Sequence, residues 1–206
     1  MISLTAIQED ALIEICNVGM SKAAKQLSIL LNSHINILIP KITLIDIDSF
    51  VNQNIFSKNE ILSYVYQSVS EDLIGRAILM FHRAHATLLT QSVIGSTPKL
   101  TEKEARACEQ EAVLEVGNIM ITSCMSAIVN MISLNIKLDM PHYNEGNLKE
   151  VTETQAHDVK KYSKEVILIA THLETAGKDI SGSLLLMLTK ESINNLLDGI
   201  NNLLKI

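Results

Sequence analysis

Tryptophan is absent, and three phenylalanines with four tyrosines amount to only 3% of the 206 residues. Little is left for base stacking or for an aromatic ligand box. Basic residues are also in deficit, 17 against 23 acidic ones for a net charge of −6. Nucleic acid is therefore a poor partner, since phosphate binding wants a basic surface. The three cysteines, Cys16, Cys108 and Cys124, are odd in number and include no close pair. They are read as reduced, mostly core residues of a cytoplasmic protein. Eight glycines include no loop able to cradle a phosphate. The first residues lack a basic head followed by an apolar run, so no signal peptide is expected. One stretch, Val116 to Ile136, is apolar enough to raise the question of a membrane span. It carries Asn118, Thr122, Ser123, Ser126, Asn130, Ser133 and Asn135, and no basic flank follows, so a buried core helix is expected.

What the chain does have is a repeat. Residues 10–40 laid over residues 111–141, an offset of 101 (111 − 10), match Ala11 with Ala112, Glu14 with Glu115 and Asn17 with Asn118. Ile35 meets Ile136 and Pro40 meets Pro141, while Asp10 meets the equally acidic Glu111. Apolar positions coincide as well, Leu12 with Val113, Ile15 with Val116 and Val18 with Ile119. Further on, 73–81 aligns with 180–188 at an offset of 107 (180 − 73). The second copy has thus gained six residues (107 − 101), placed in the polar run Asn144 to Lys164, which reads as a solvated loop. A period this long means a duplicated unit rather than a solenoid. The expected organisation is a single domain over 1–206 made of two repeats, about 1–98 and 99–206.

Within each copy the periodicity reads helix, three strands, helix. In the first, helix is expected over 5–31, strand over 34–47, a hairpin from 62–70 and 73–82, and helix over 84–94. The second repeats this with helix 101–132, strands 134–142, 164–173 and 180–189, and helix 190–204. Both first helices open on a capping box, Thr5 with Gln8 and Thr101 with Glu104. Strands joined by short turns pair antiparallel. The fold class expected is α+β, an antiparallel sheet with long helices on one face and pseudo-two-fold symmetry.

On a helix, residues three and four apart share a face. Asp10, Glu14 and Asn17 form one polar stripe, with Leu12, Cys16, Gly19, Ala23, Leu27 and Leu30 opposite it. In the second copy Glu111, Glu115 and Asn118 lie opposite Val113, Gly117, Met120, Cys124, Ile128 and Met131. The apolar faces must be buried, which presents both acidic stripes to solvent or a partner. Truncating either asparagine on such a face should cost less than about 1 kcal/mol. One Glu-x-x-Asn is an ordinary surface feature. Two at matching positions, where neighbours such as Lys22 and Ser123 have diverged, are less so, because asparagine is a mediocre mid-helix residue.

Both copies read acidic-x3-Glu-x2-Asn-x22-Pro. This resembles the signature of the CheC family, chemotaxis phosphatases that act on the response regulator CheY. The likeness runs over nearly the whole sequence, including Asn17-Val18-Gly19 and Glu115 to Ile119, although Glu111 stands where that family has Asp or Ser. The resemblance implies a phosphorylated CheY-like partner that brings its own aspartyl phosphate, Mg²⁺ and lysine, with no cofactor or metal held by this chain. Asn17 and Asn118 would align the attacking water, and Glu14 and Glu115 would pair with the regulator's lysine. Pro40 and Pro141 are read as structural, removing a ladder hydrogen bond near a strand edge. Two other readings stand beside this one: a non-catalytic adaptor resembling the middle domain of flagellar switch proteins, and a partner of the deamidase CheD. His82-Arg83-Ala84-His85 offers two histidines with no third ligand in sequence, so no metal site is expected there.

Overall fold

The computed structural model describes residues 3–52, 56, 57, 59–94, 101–157, 163–175 and 177–205. The first half of the chain gives α1 (Ala6–Leu30), β1 (Ile35–Asp46), α2 (Ile47–Asn52), β2 (Leu62–Glu71), β3 (Gly75–His82) and α3 (Arg83–Ile94). The second gives α4 (Glu102–Met131), β4 (Ile136–Leu138), β5 (His142–Gly146), α5 (Leu148–His157), β6 (Glu165–Thr175), β7 (Lys178–Leu188) and α6 (Lys190–Leu204). Both expected capping boxes form. Thr5 accepts from the Gln8 amide at 3.3 Å and Thr101 from the Glu104 amide at 3.3 Å, with the return bonds also made.

All strand pairs are antiparallel, in the order β1-β6-β7-β3-β2-β4, with β5 also on β2. When strands at matching places in the two repeats are exchanged, this order reads the same from either edge. Pairing also crosses between repeats, since β1 lies on β6 and β3 on β7. One face of the sheet carries α1, α3, α4 and α6 over the larger core, in which Leu12, Met20, Val113, Met120, Leu79 and Leu184 are all buried. The long helices on one face are as expected.

Several details differ from the sequence reading. The other face of the sheet is also covered, by a smaller cluster joining Phe50 of α2 and Leu148 and Val151 of α5 to Ile78, Met80, Leu185 and Met187. Residues 144–157 are therefore not a solvated loop. β5 runs to Gly146, and α5 buries Leu148, Val151, Thr152 and Gln155. Two of those four are polar, which hid the helical stripe. Asn147 and Glu150 cap α5 reciprocally at 3.0 Å, a pairing readable in sequence but not recognised. Residues 158–162, the rest of that run, lie outside the described residues. The strand expected over 134–142 is split into β4 and β5, with Asp139 to Pro141 between them. Leu30 and Met131, expected on the buried faces, are each 47% exposed, while the residues that follow them, Leu31 and Ile132, are buried.

α4 is long and apolar enough to cross a membrane by length and composition, with a mean hydropathy of 1.7 in its most apolar window. That window is 61% buried inside the protein, so the helix is spent on the core. α1 and α4 meet closely at Gly19, where a Cβ would fall 2.5 Å from the Ser123 carbonyl oxygen and 2.9 Å from the Ala127 methyl. The obstacle is backbone, which cannot swing away. Gly19→Ala should therefore destabilise the fold by about 1–3 kcal/mol, read from the urea midpoint at unchanged slope.

Candidate functional site

The polar stripes emerge as the periodicity requires. Asp10, Glu14, Glu111 and Glu115 are exposed, Asn17 and Asn118 are half-buried, and Leu12, Cys16, Val113 and Val116 beneath them are buried. Each asparagine sits where its helix meets the sheet, and neither is a free surface side chain.

Asn17 Oδ1 accepts the backbone N–H of Ile39 at 2.8 Å. That N–H is free because of the next residue. On β1, Leu38 pairs with His172 and Lys41 with Ala170, so Ile39 and Pro40 together oppose Thr171 alone. This is a β-bulge at Pro40 on an edge strand, where a residue without an N–H is tolerated. The bulge takes Ile39 out of the ladder, and the α1 side chain completes it. The 22-residue gap between asparagine and proline thus has a physical content: the helix supplies the acceptor for the amide that the proline bulge releases.

The second copy solves the same problem with different atoms. Leu138 pairs with Val69 and His142 with Tyr66, so Asp139, Met140 and Pro141 oppose only Gln67 and Ser68. Again there is one residue in excess at the proline. Here Asn118 Oδ1 accepts from Gln67 Nε2 at 3.2 Å and from Thr122 Oγ1 at 3.4 Å, with no backbone amide in the role of Ile39. Met140, which aligns with Ile39, is 79% exposed. In both copies the carboxamide oxygen faces inward, so the Nδ2 hydrogens are turned to the opposite side of the amide.

The surroundings limit the chemistry. Cys16 lies against Cys124, and that thiol contact, with burial second, holds its pKa well above the ordinary value, so the sulfur stays neutral. All three cysteines are free thiols. Among the described residues, the one group of three possible metal ligands is His172, Glu174 and Asp179, with His172 Nε2 at 3.7 Å from each carboxylate. Half-buried His172 and exposed Glu174 and Asp179 belong to the β6–β7 hairpin. His172 alternates with the core residue Leu173 and so points to the sheet face away from α1. His82 and His85 do not pair as ligands: His82 contacts Glu60, and His85 Nδ1 lies within hydrogen-bond reach of the Ser181 backbone, 3.0 Å from its oxygen and 3.1 Å from its nitrogen, bonding one of them according to tautomer. What each stripe offers is an exposed carboxylate one turn before a half-buried amide whose oxygen is already engaged. Sequence reasoning missed the roles of Ile39 and Gln67. The asparagine–proline spacing pointed to the first, but nothing in the alternation of β2 marked the second.

No family model matches the chain. Its sequence is 24% identical over 200 residues to the flagellar motor switch phosphatase FliY of Bacillus subtilis (strain 168), covering 95% of this chain and 51% of that protein. The chain thus spans about half the length of the curated relative it matches. The crystal structure of Thermotoga maritima FliY superposes with a TM-score of 0.77 at 19% identity, over 98% of this chain and 99% of that one. The chain is thus similar in sequence to one FliY protein and shares its fold with another. The middle domain of FliM from H. pylori shares the fold more distantly, with a TM-score of 0.62 at 11% identity over 95% and 99% of the two chains.

The bond to Ile39 revises the stability expected at Asn17. Removing the acceptor strands a backbone N–H between helix and sheet, so Asn17→Ala should cost about 1–3 kcal/mol. Asn17→Asp keeps an oxygen there and should recover most of that loss. Urea unfolding of the two variants checks the difference, and equal midpoints would mean that the hydrogen bond contributes nothing.

Proposed function

We propose that this chain dephosphorylates the aspartyl phosphate of a CheY-type response regulator in the cytoplasm. It would act as a single domain over 1–206 built from two repeats, about 1–98 and 99–206. The observation that carries the reading is the pair of inward-locked asparagines, Asn17 and Asn118, each one turn beyond an exposed glutamate. Likeness to a relative named as a switch phosphatase supports it, and the palindromic sheet order supports the two-repeat division.

Hydrolysis of an acyl phosphate needs little covalent help from a second protein. Water must be held in line behind phosphorus, and charge on the phosphoryl oxygens must be offset. The regulator supplies Mg²⁺ and its own lysine for that offset. Water attacks phosphorus, the bond to the aspartyl oxygen breaks, and carboxylate and inorganic phosphate leave. An asparagine whose oxygen is already fixed brings its Nδ2 hydrogens to the site in one orientation. Nδ2 donates to one lone pair of the water and leaves the other for attack. Because the amide is locked before docking, little ordering is left for the reaction itself. Glu14 and Glu115 anchor the complex by pairing with the regulator's lysine. Asp10 and Glu111 extend the acidic edge, and Pro40 and Pro141 shape the bulges beneath the amides.

Likeness to the FliM middle domain favours a second reading, that of an adaptor docking the same regulator without catalysis. The two part company on one experiment. Purified protein is mixed with phosphorylated regulator and phosphate release is followed over time. Asn17→Ala and Asn118→Ala should each leave partial activity, and the double variant almost none, while regulator binding stays nearly intact. Glu14→Ala and Glu115→Ala should weaken binding as well. A double variant that still hydrolyses at the wild-type rate would leave only the adaptor reading or sequestration of a CheD-type deamidase.

The metal gives an independent check. Each stripe has two exposed carboxylates one turn apart, too few ligands for Mg²⁺ to be bound tightly by this chain alone. Calorimetry on the isolated protein should show only weak, non-stoichiometric Mg²⁺ uptake. A tight one-to-one site would contradict a metal brought by the regulator.

A further inference from the structure

The two asparagines are held by different means, and the second depends on a side chain outside the repeated motif. Gln67 of β2 is 2% exposed, so its amide is desolvated and its hydrogen bonds fix its orientation. Gln67 Nε2 lies 3.0 Å from the carbonyl oxygen of Asp139 and 3.2 Å from Asn118 Oδ1. A backbone carbonyl can only accept, so the nitrogen end of Gln67 must face it. Both hydrogens of Nε2 are then directed, one to Asp139 and the other to Asn118. The second hydrogen holds the oxygen of Asn118 toward the sheet at 3.2 Å, shorter than the 3.4 Å contact from Thr122 Oγ1 on the same helix. Orientation is therefore relayed from the interrupted strand at Asp139, through Gln67, to the amide on α4. At the first site Ile39 N–H does this work directly at 2.8 Å.

We infer that Gln67 is the positioning residue of the second site, setting which end of the Asn118 amide meets the regulator's phosphoryl group, and that the first site needs no such residue. This rests on the phosphatase reading above. The role is orientational, and it makes the second site sensitive to a substitution that the first should ignore. Gln67 Oε1 has no hydrogen-bond partner, so a residue chosen for packing alone would be better as methionine or leucine. The glutamine therefore has a use for its nitrogen.

Gln67→Met is the informative change, since it keeps length and volume and deletes the donor. It is made in the wild type and in the Asn17→Ala background, where only the second site works, and steady-state phosphate release is measured against regulator concentration. In the Asn17→Ala background kcat should fall about 10- to 100-fold with KM within about twofold, as a misaligned group costs turnover and not docking. In the wild-type background the first site should keep working, which certifies that the variant is folded. An unchanged kcat in the Asn17→Ala background, with Asn118→Ala still abolishing activity there, overturns the inference and leaves the phosphatase reading intact. Loss of first-site activity in Gln67→Met also overturns it, by making Gln67 a packing residue. If Asn17→Ala with and without Asn118→Ala behave alike, the reading of the second asparagine fails and the inference falls with it.

Discussion

A buried backbone amide must find an acceptor, and a proline in a strand makes that demand acute. Pro40 cannot take a place in the ladder, so β1 bulges, and the amide of Ile39 is left facing α1. Only a side chain with an oxygen at the right height on that helix can receive it, and Asn17 does so at 2.8 Å. The apolar face of α1 docks the helix on the sheet, and that one bond fixes the oxygen of the half-buried Asn17 against the edge strand. A residue that pattern alone would place on an open surface becomes a fixed element of the fold.

The second copy shows how much of this is geometry and how much is chemistry. The one-residue excess recurs at Pro141, and the asparagine recurs beneath it. The bond does not recur, because Met140 has swung out and Gln67 fills its role. The shared outcome is the inward oxygen. Different donors reach it, the Ile39 amide in one copy and Gln67 with Thr122 in the other.

The order and type of most elements were legible in the residues. Thr5 with Gln8 and Thr101 with Glu104 announced two helix starts, and the runs 62–70 and 73–82 announced a hairpin. The exposed stripes followed from spacing, and burial of α4 in place of a membrane span followed from the polar residues that interrupt its apolar run. What stayed hidden was set by contacts distant in sequence. α5 buries Thr152 and Gln155, so its inner face does not look apolar. The split between β4 and β5 depends on how β2 accommodates Pro141, and the role of Gln67 depends on a carbonyl 72 residues away. The low cost expected for truncating Asn17 was wrong in the same way, since helix periodicity says nothing of a strand amide arriving from 22 residues downstream.

The strand order has a bearing on how the two sites could have come to differ. Since β1 is zipped to β6 and β3 to β7, neither half of the chain owns a complete sheet, and the halves relate to one another as subunits of an intertwined dimer would. In a dimer of identical subunits every side chain is present twice, and a change good for one site is imposed on the other. Joining the halves in a single polypeptide lifts that restriction. The molecule keeps the shape of a symmetric pair while its two amides answer to separate genetic positions, so one can be tuned without touching its twin.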